Sequence, residues 1–123
     1  MERLTEPQRY DPEQVFYIKG AKRGDDGRVR FLMVRPEGDA FSIAWDPEVM
    51  PHTVRWILVN SDQRVAAFAM PGTCEPEGYT AEKRKGHLRT LNGGATATFQ
   101  TRIDYVAAKD TAAAVKAIEG ERK

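Results

Sequence analysis

Short apolar runs punctuated by turn-forming residues dominate this chain, and their rhythm leaves few architectures open. In residues 41–46, Phe41, Ile43 and Trp45 alternate with Ser42, Ala44 and Asp46, the period of two that puts successive side chains on opposite faces of a strand. Gln14–Ile18 is rich in β-branched and aromatic residues, and residues 28–35 set Val29, Phe31 and Met33 on one face. The turn-rich residues 20–27 between these runs, with Asp25, Asp26 and Gly27 inside, predict a hairpin joining them. Mostly apolar runs at 54–60 and 65–70 predict two more strands around a polar turn at 60–64. The longest alternation covers 95–105, where Ala95, Ala97, Phe99, Thr101, Ile103 and Tyr105 share a face. Strands recur about every twelve to fourteen residues with no amphipathic helix between them, which predicts a mainly β fold, an antiparallel β-sandwich or barrel, rather than βαβ units.

The ends differ from the middle. Residues 1–12 are polar and contain Pro7 and Pro12, so they read as a flexible arm ahead of a β-sandwich domain over 13–108. From 109 to 119 the period changes: Asp110 is a natural cap, the alanines favour helix, Ala114, Val115 and Ile118 share a face, and Gly120 ends the run. A short C-terminal helix and tail over 109–123 is the expectation. One helical turn also fits 79–86, with Thr80 as its cap.

At 123 residues the chain suits one domain whose core needs neither metal nor disulfide. A formal charge of +1 spread along the sequence argues against a nucleic-acid or membrane-surface partner, which requires a concentrated basic face. The lone cysteine, Cys74, forms no internal disulfide, the N-terminus lacks an apolar leader, and no run approaches the roughly eighteen apolar residues of a membrane-spanning helix. A cytoplasmic protein is therefore expected. No glycine pattern fits a nucleotide-binding loop, and one cysteine with two histidines offers no closed zinc spacing, so neither cofactor nor metal is expected.

Residues 71–80 interrupt the β pattern and carry the first candidate for chemistry. Pro71 and Gly72 follow an apolar run, and Pro76 and Gly78 come soon after, so Glu75 is expected at a strand end or loop mouth with its direction constrained. The plain alternative is a solvated loop acid. A second set lies at the start of the fourth strand, where His52, Arg55 and Trp56 bring a titratable ring, a forked cation and an indole into five residues. Those three suit a polyhydroxylated ligand, or else are surface groups beside a core tryptophan. The basic run 83–89 is a candidate phosphate contact and, more simply, a solvated turn offset by Glu75, Glu77 and Glu82.

The order of these segments resembles the C-terminal part of the galactose mutarotase-like superfamily, the aldose 1-epimerases and their relatives. The residues that carry the resemblance are Glu13 to Tyr17 opening a strand, the Asp26-Gly27 turn, Trp45 to Pro51 leading to Trp56, Gly72 to Pro76, and Gly86 followed by Leu91 to Gly94 before a long strand. The resemblance implies a sandwich that is part of a larger supersandwich. It also implies a small-molecule sugar as partner, and an isomerase that interconverts sugar anomers by acid–base catalysis. In that superfamily a glutamate acts as base on the anomeric hydroxyl while a histidine protonates the ring oxygen. Glu75 matches the base, so Glu75 is the expected catalytic residue, with His52, Arg55 and Trp56 lining the substrate site. Superfamily members are about twice this length and carry their acid histidines in the earlier half, so His52 is not carried over as one of them. A fragment, a half-length relative, or a subunit that completes its site in a homo-oligomer through open sheet edges would each account for that. Two rival readings stand beside the enzyme: a non-catalytic sugar-binding or sensing module, and a β-rich interaction domain.

Overall fold

The computed structural model describes residues 7–120, with the backbone alone at 7–8 and 64–68. The strands are β1 (Gln14–Ile18), β2 (Val29–Val34), β3 (Ala40–Trp45), β4 (His52–Val59), β5 (Arg64–Gly72) and β6 (Thr101–Val106), and the helices are α1 (Tyr79–Lys85) and α2 (Ala108–Gly120). They form two antiparallel three-stranded sheets, ordered β1-β4-β5 and β2-β3-β6, so the fold is mainly β and consistent with a β-sandwich. Val29, Ile43 and Trp45 from one sheet meet Ala69 from the other, and Met50 from the β3–β4 turn closes the same cluster. Val54 and Ile57 on β4 are also buried. No helix among the described residues is long and apolar enough to cross a membrane.

Turn chemistry explains most of the connections. Between β2 and β3, the Arg35 backbone N–H donates to the Asp39 carbonyl at 2.8 Å, and the Arg35 guanidinium grips the buried Asp39 carboxylate. That guanidinium holds Asp39 below its ordinary carboxylate range. Between β4 and β5, the Asn60 side-chain oxygen accepts from the backbone N–H groups of Asp62 and Gln63 at 2.9 and 2.7 Å.

Three expectations are corrected. β1 and β2 do not pair; β1 runs against β4, with Val15 opposite Trp56 and Tyr17 opposite Val54. The intervening turn folds onto β2 itself, through a bridge between Arg23 and Val29 and a Gly27 N–H donated to the Gly24 carbonyl at 2.9 Å, so the chain crosses to the other sheet. The strand expected at 95–105 begins only at Thr101. Its partner β3 offers six positions, from Ala40 opposite Val106 to Trp45 opposite Thr101, and beyond Trp45 the Asp46-Pro47 turn removes the ladder. Residues 95–100 are left exposed, and Ile103 and Tyr105 face outward at 64% and 61% exposure. Finally, β5 does not break at Pro71: it pairs through to Gly72, which an edge strand permits because the missing proline N–H faces away from the ladder.

The ends follow the pattern more closely. Of the arm expected over 1–12, residues 1–6 lie outside the described residues, while Pro7–Tyr10 form a 3-10 turn lying against β4. Residues 121–123 of the expected tail also lie outside. α2 docks on β2 and β6 with Ala114, Val115 and Ile118 half-buried. Asp110 sits inside its first turn rather than capping it, and the buried Thr111 hydroxyl donates to the Ala107 carbonyl at 3.2 Å. α1 likewise has Gly78 rather than Thr80 at its N-cap, with no side-chain capping hydrogen bond.

The end of α1 is the local feature that positions chemistry. Gly86 adopts φ 75°, its N–H donates to the Lys83 carbonyl at 3.1 Å, and the His87 N–H donates to the Glu82 carbonyl at 3.0 Å. This paired closure turns the chain sharply and folds His87 back over the helix that precedes it. An alanine at Gly86 would have to take the left-handed conformation, so Gly86→Ala is expected to lower stability by about 1–2 kcal/mol in urea unfolding.

Candidate functional site

An open cleft of about 610 Å³ lies where the end of β1, the start of β4, the chain after β5 and the end of α1 converge. Backbone pairing builds it: Ile18 lies opposite Thr53, and His52 lies opposite Gly72, three residues ahead of Glu75. At Gly72 the chain turns tightly, and a Cβ there would stand 3.2 Å from the Cys74 carbonyl oxygen. The turn brings the Glu75 carboxylate to 4.0 Å from the His52 Nδ1, with only 11% of the Glu75 side chain exposed.

Behind Glu75 lies a buried carboxylate, Glu82, at 2% exposure. Its Oε2 accepts from the Glu75 backbone N–H at 2.9 Å and from His87 Nδ1 at 2.7 Å, and its Oε1 accepts from Lys85 Nζ at 3.2 Å. Burial alone would push Glu82 upward, but the bonds from His87, the Glu75 backbone and Lys85 outweigh it and hold its pKa at about 2. Glu82 therefore accepts, His87 donates from Nδ1, and Nε2 is the ring nitrogen left for a ligand.

Lys85 is the hub. Its Nζ lies 2.6 Å from Glu75, 2.9 Å from Glu77 and 3.2 Å from Glu82. Those hydrogen bonds, Glu75 first, keep the ammonium protonated well above its usual range. Tyr17 closes the ring of contacts: its hydroxyl donates to Glu77 Oε1 at 3.0 Å, and partial burial followed by that bond raises its pKa. The His52 and His87 rings lie 4.1 Å apart, centroid to centroid.

Two of the four residues expected at the site, Glu75 and His52, meet on this cleft. Arg55 and Trp56 do not line it; they lie further along β4, roughly 10–13 Å at strand spacing, and the Trp56 indole donates to the Glu13 carboxylate. The basic run at 83–89 is split among separate tasks. Lys85 binds carboxylates, Lys83 stacks over Tyr79, and Arg89 donates to the carbonyls of Val49 and Glu48. His87, Glu82, Lys85 and Tyr17 were not singled out by spacing, although a Gly86 just past a run of Lys and Arg is a legible helix terminus.

Glu75, Glu82 and His87 also bring donor atoms within 4.8 Å of one another, a set that two carboxylates and an imidazole could offer a divalent ion. In the structure the Lys85 ammonium supplies the positive charge there. The lining also includes the apolar residues Val29, Trp45, Pro47 and Pro51 and a second lysine, Lys19. The Trp45 side chain is 1% exposed, and its Nε1 is the one buried side-chain polar atom without a hydrogen-bond partner among the described residues. Such an orphaned donor costs about 1–3 kcal/mol.

The fold is mainly β and consistent with a β-sandwich, and its cleft brings together carboxylate, ammonium and imidazole side chains. Residues 1–105 match the family described as a domain of unknown function, DUF4432, and the chain belongs to that family. No curated protein and no solved structure matches it.

The depressed pKa of Glu82 fixes the sign of an acid effect. Its folded-state value lies below the ordinary 4.5, so the stability it confers is complete above about pH 4.5 and is lost as the pH falls toward about 2. Urea midpoints measured from neutral to acid pH should fall through that window in the native sequence. In Glu82→Gln they should start lower at neutral pH and lose that part of the slope.

Proposed function

We propose that the cleft binds a small sugar and interconverts its anomers by acid–base catalysis, with Glu75 as the base. The observation that carries this reading is the convergence of the Glu75 carboxylate with two imidazoles: it lies 4.0 Å from His52 on a cleft that His87 also lines. Mutarotation needs a group that accepts the anomeric hydroxyl proton and another that protonates the ring oxygen, both within reach of one substrate. Glu75 takes the first proton, the ring opens, rotation about C1–C2 turns the aldehyde, and reclosure from the other face returns both protons. His87, its Nδ1 fixed by Glu82, presents Nε2 as the acid, and His52 stands beside it. In this reading histidines from the later strands and the α1 terminus take the place of those that mutarotase-like proteins carry in their earlier half. The resemblance of residues 72–76 to the segment bearing the base in those proteins supports the assignment of Glu75.

Lys85 favours a second reading. A carboxylate held by an ammonium at 2.6 Å is also a fixed acceptor for sugar hydroxyls, which would suffice for a binding module without turnover.

Anomer exchange of glucose and galactose, followed by polarimetry or NMR, separates the two. The enzyme reading expects acceleration over buffer, and a roughly 10²–10⁴-fold loss in Glu75→Gln and in His87→Asn with sugar affinity largely retained. Saturable binding with no acceleration selects the module, and a rate indifferent to Glu75→Gln removes Glu75 as the base.

A further inference from the structure

Each sheet ends in two edge strands, and the four edges are not equivalent. β5 carries Pro71, a bridge from Arg23 closes the start of β2, and β1 is five residues long with no charged side chain. β6 alone among them carries both a cation and an anion, Arg102 and Asp104, two positions apart. It pairs with β3 on one side, and no strand pairs with its other side among the described residues. The N–H and C=O groups along that free side are a template for a further strand.

The side chains show where this edge is unfinished. Opposite residues of an antiparallel ladder share a face, so Ile103 and Tyr105 lie on the side of their sheet that carries Ile43 and Phe41. The Phe41 and Tyr105 rings meet there, their centroids 5.6 Å apart. Ile43 is 6% exposed, whereas Ile103 beside it is 64% exposed. The apolar surface that builds the core thus continues onto β6 past the cover of the other sheet, and its last two side chains look out into solvent. Arg102 and Asp104 occupy the opposite face, 67% and 41% exposed, and meet each other at 2.8 Å.

We infer that β6 pairs antiparallel with β6 of a second copy of this chain about a twofold axis at Ile103, joining two three-stranded sheets into one of six. In that register Ile103 faces Ile103 of the partner subunit, and Thr101 faces Tyr105 of the partner subunit, which extends the apolar face across the axis. On the other face Arg102 stands opposite Asp104 of the partner subunit, and the symmetry makes that pair twice. The strand is complementary to itself in this register. An axis at Arg102 sets guanidinium against guanidinium, and one at Asp104 sets carboxylate against carboxylate, both unfavourable when directly opposed. An axis between two residues turns the apolar side chains onto the charged face.

Sedimentation velocity of the full chain from micromolar to millimolar concentration should show a dimer, twice the 13.8 kDa of one chain. Arg102→Asp and Asp104→Arg should each weaken it by roughly tenfold or more, because each turns two opposite-charge pairs into like-charge pairs. Mixed in equal amounts, the two variants should recover the dimer, since every facing pair is then opposite in charge. Both positions are exposed, neither lines the cleft, and far-UV circular dichroism verifies the fold. In a Cys74→Ser background, Ile103→Cys should cross-link under mild oxidation, its facing Cα atoms standing about 4.5–5.5 Å apart. Tyr105→Cys, at similar exposure, should not, because its counterpart lies about 14 Å away at strand spacing. A single-chain mass throughout overturns the inference, as does a dimer indifferent to both charge reversals. A mixture that stays monomeric, or cross-linking at Tyr105→Cys but not at Ile103→Cys, overturns it too.

Discussion

A carboxylate at 2% exposure has to be compensated by its neighbours, and the compensation of Glu82 is what joins the loop after β5 to α1. Three separate pieces of chain reach it: a backbone N–H from Glu75, an imidazole from His87 and an ammonium from Lys85. An unpaired buried charge would be untenable, so these contacts are conditions of folding as much as features of a site. The same contacts leave Glu75 beside His52 and leave one nitrogen of His87 for the cleft. Structural need and chemical arrangement are here met by one set of bonds.

Lys85 extends that logic across the molecule. Its contacts with Glu75, Glu77 and Glu82, and through Glu77 with Tyr17, connect the last turn of a short helix to the edge strand β1. Two of the cleft's apolar lining residues, Trp45 and Val29, belong to the core cluster itself.

What the sequence disclosed follows from the range over which each signal acts. The alternation of Phe41, Ile43 and Trp45 and the apolar run of β4 are local, and those strands lie where the pattern puts them. Pairing is not local: β1 has the composition of a hairpin partner for β2, yet only the packing of two sheets decides that it runs beside β4. For β6, periodicity extends beyond the ladder because alternation records side-chain type, whereas hydrogen bonding needs a partner, and β3 runs out at Trp45. Glu75 was legible from proline and glycine on both sides of it. His52 was legible only as a neighbour of Arg55 and Trp56, and adjacency in a strand separates residues by about 3.3 Å each, so the group did not stay together. Glu82, Lys85 and His87 read as part of a charge run because no sequence spacing shows that one carboxylate is buried.

The glycine-led closure of α1 gives the site an unusual dependence on counting. A helical residue turns about 100° per position, so inserting or deleting one residue between Tyr79 and Glu82 would carry Glu82, Lys85 and the following His87 to a different side of the helix at once. The stretch at 95–100, which pairs with no strand, is under no such constraint and can absorb changes of length. Two segments that look equally ordinary in the sequence thus differ sharply in the length changes that descendants of this chain could tolerate.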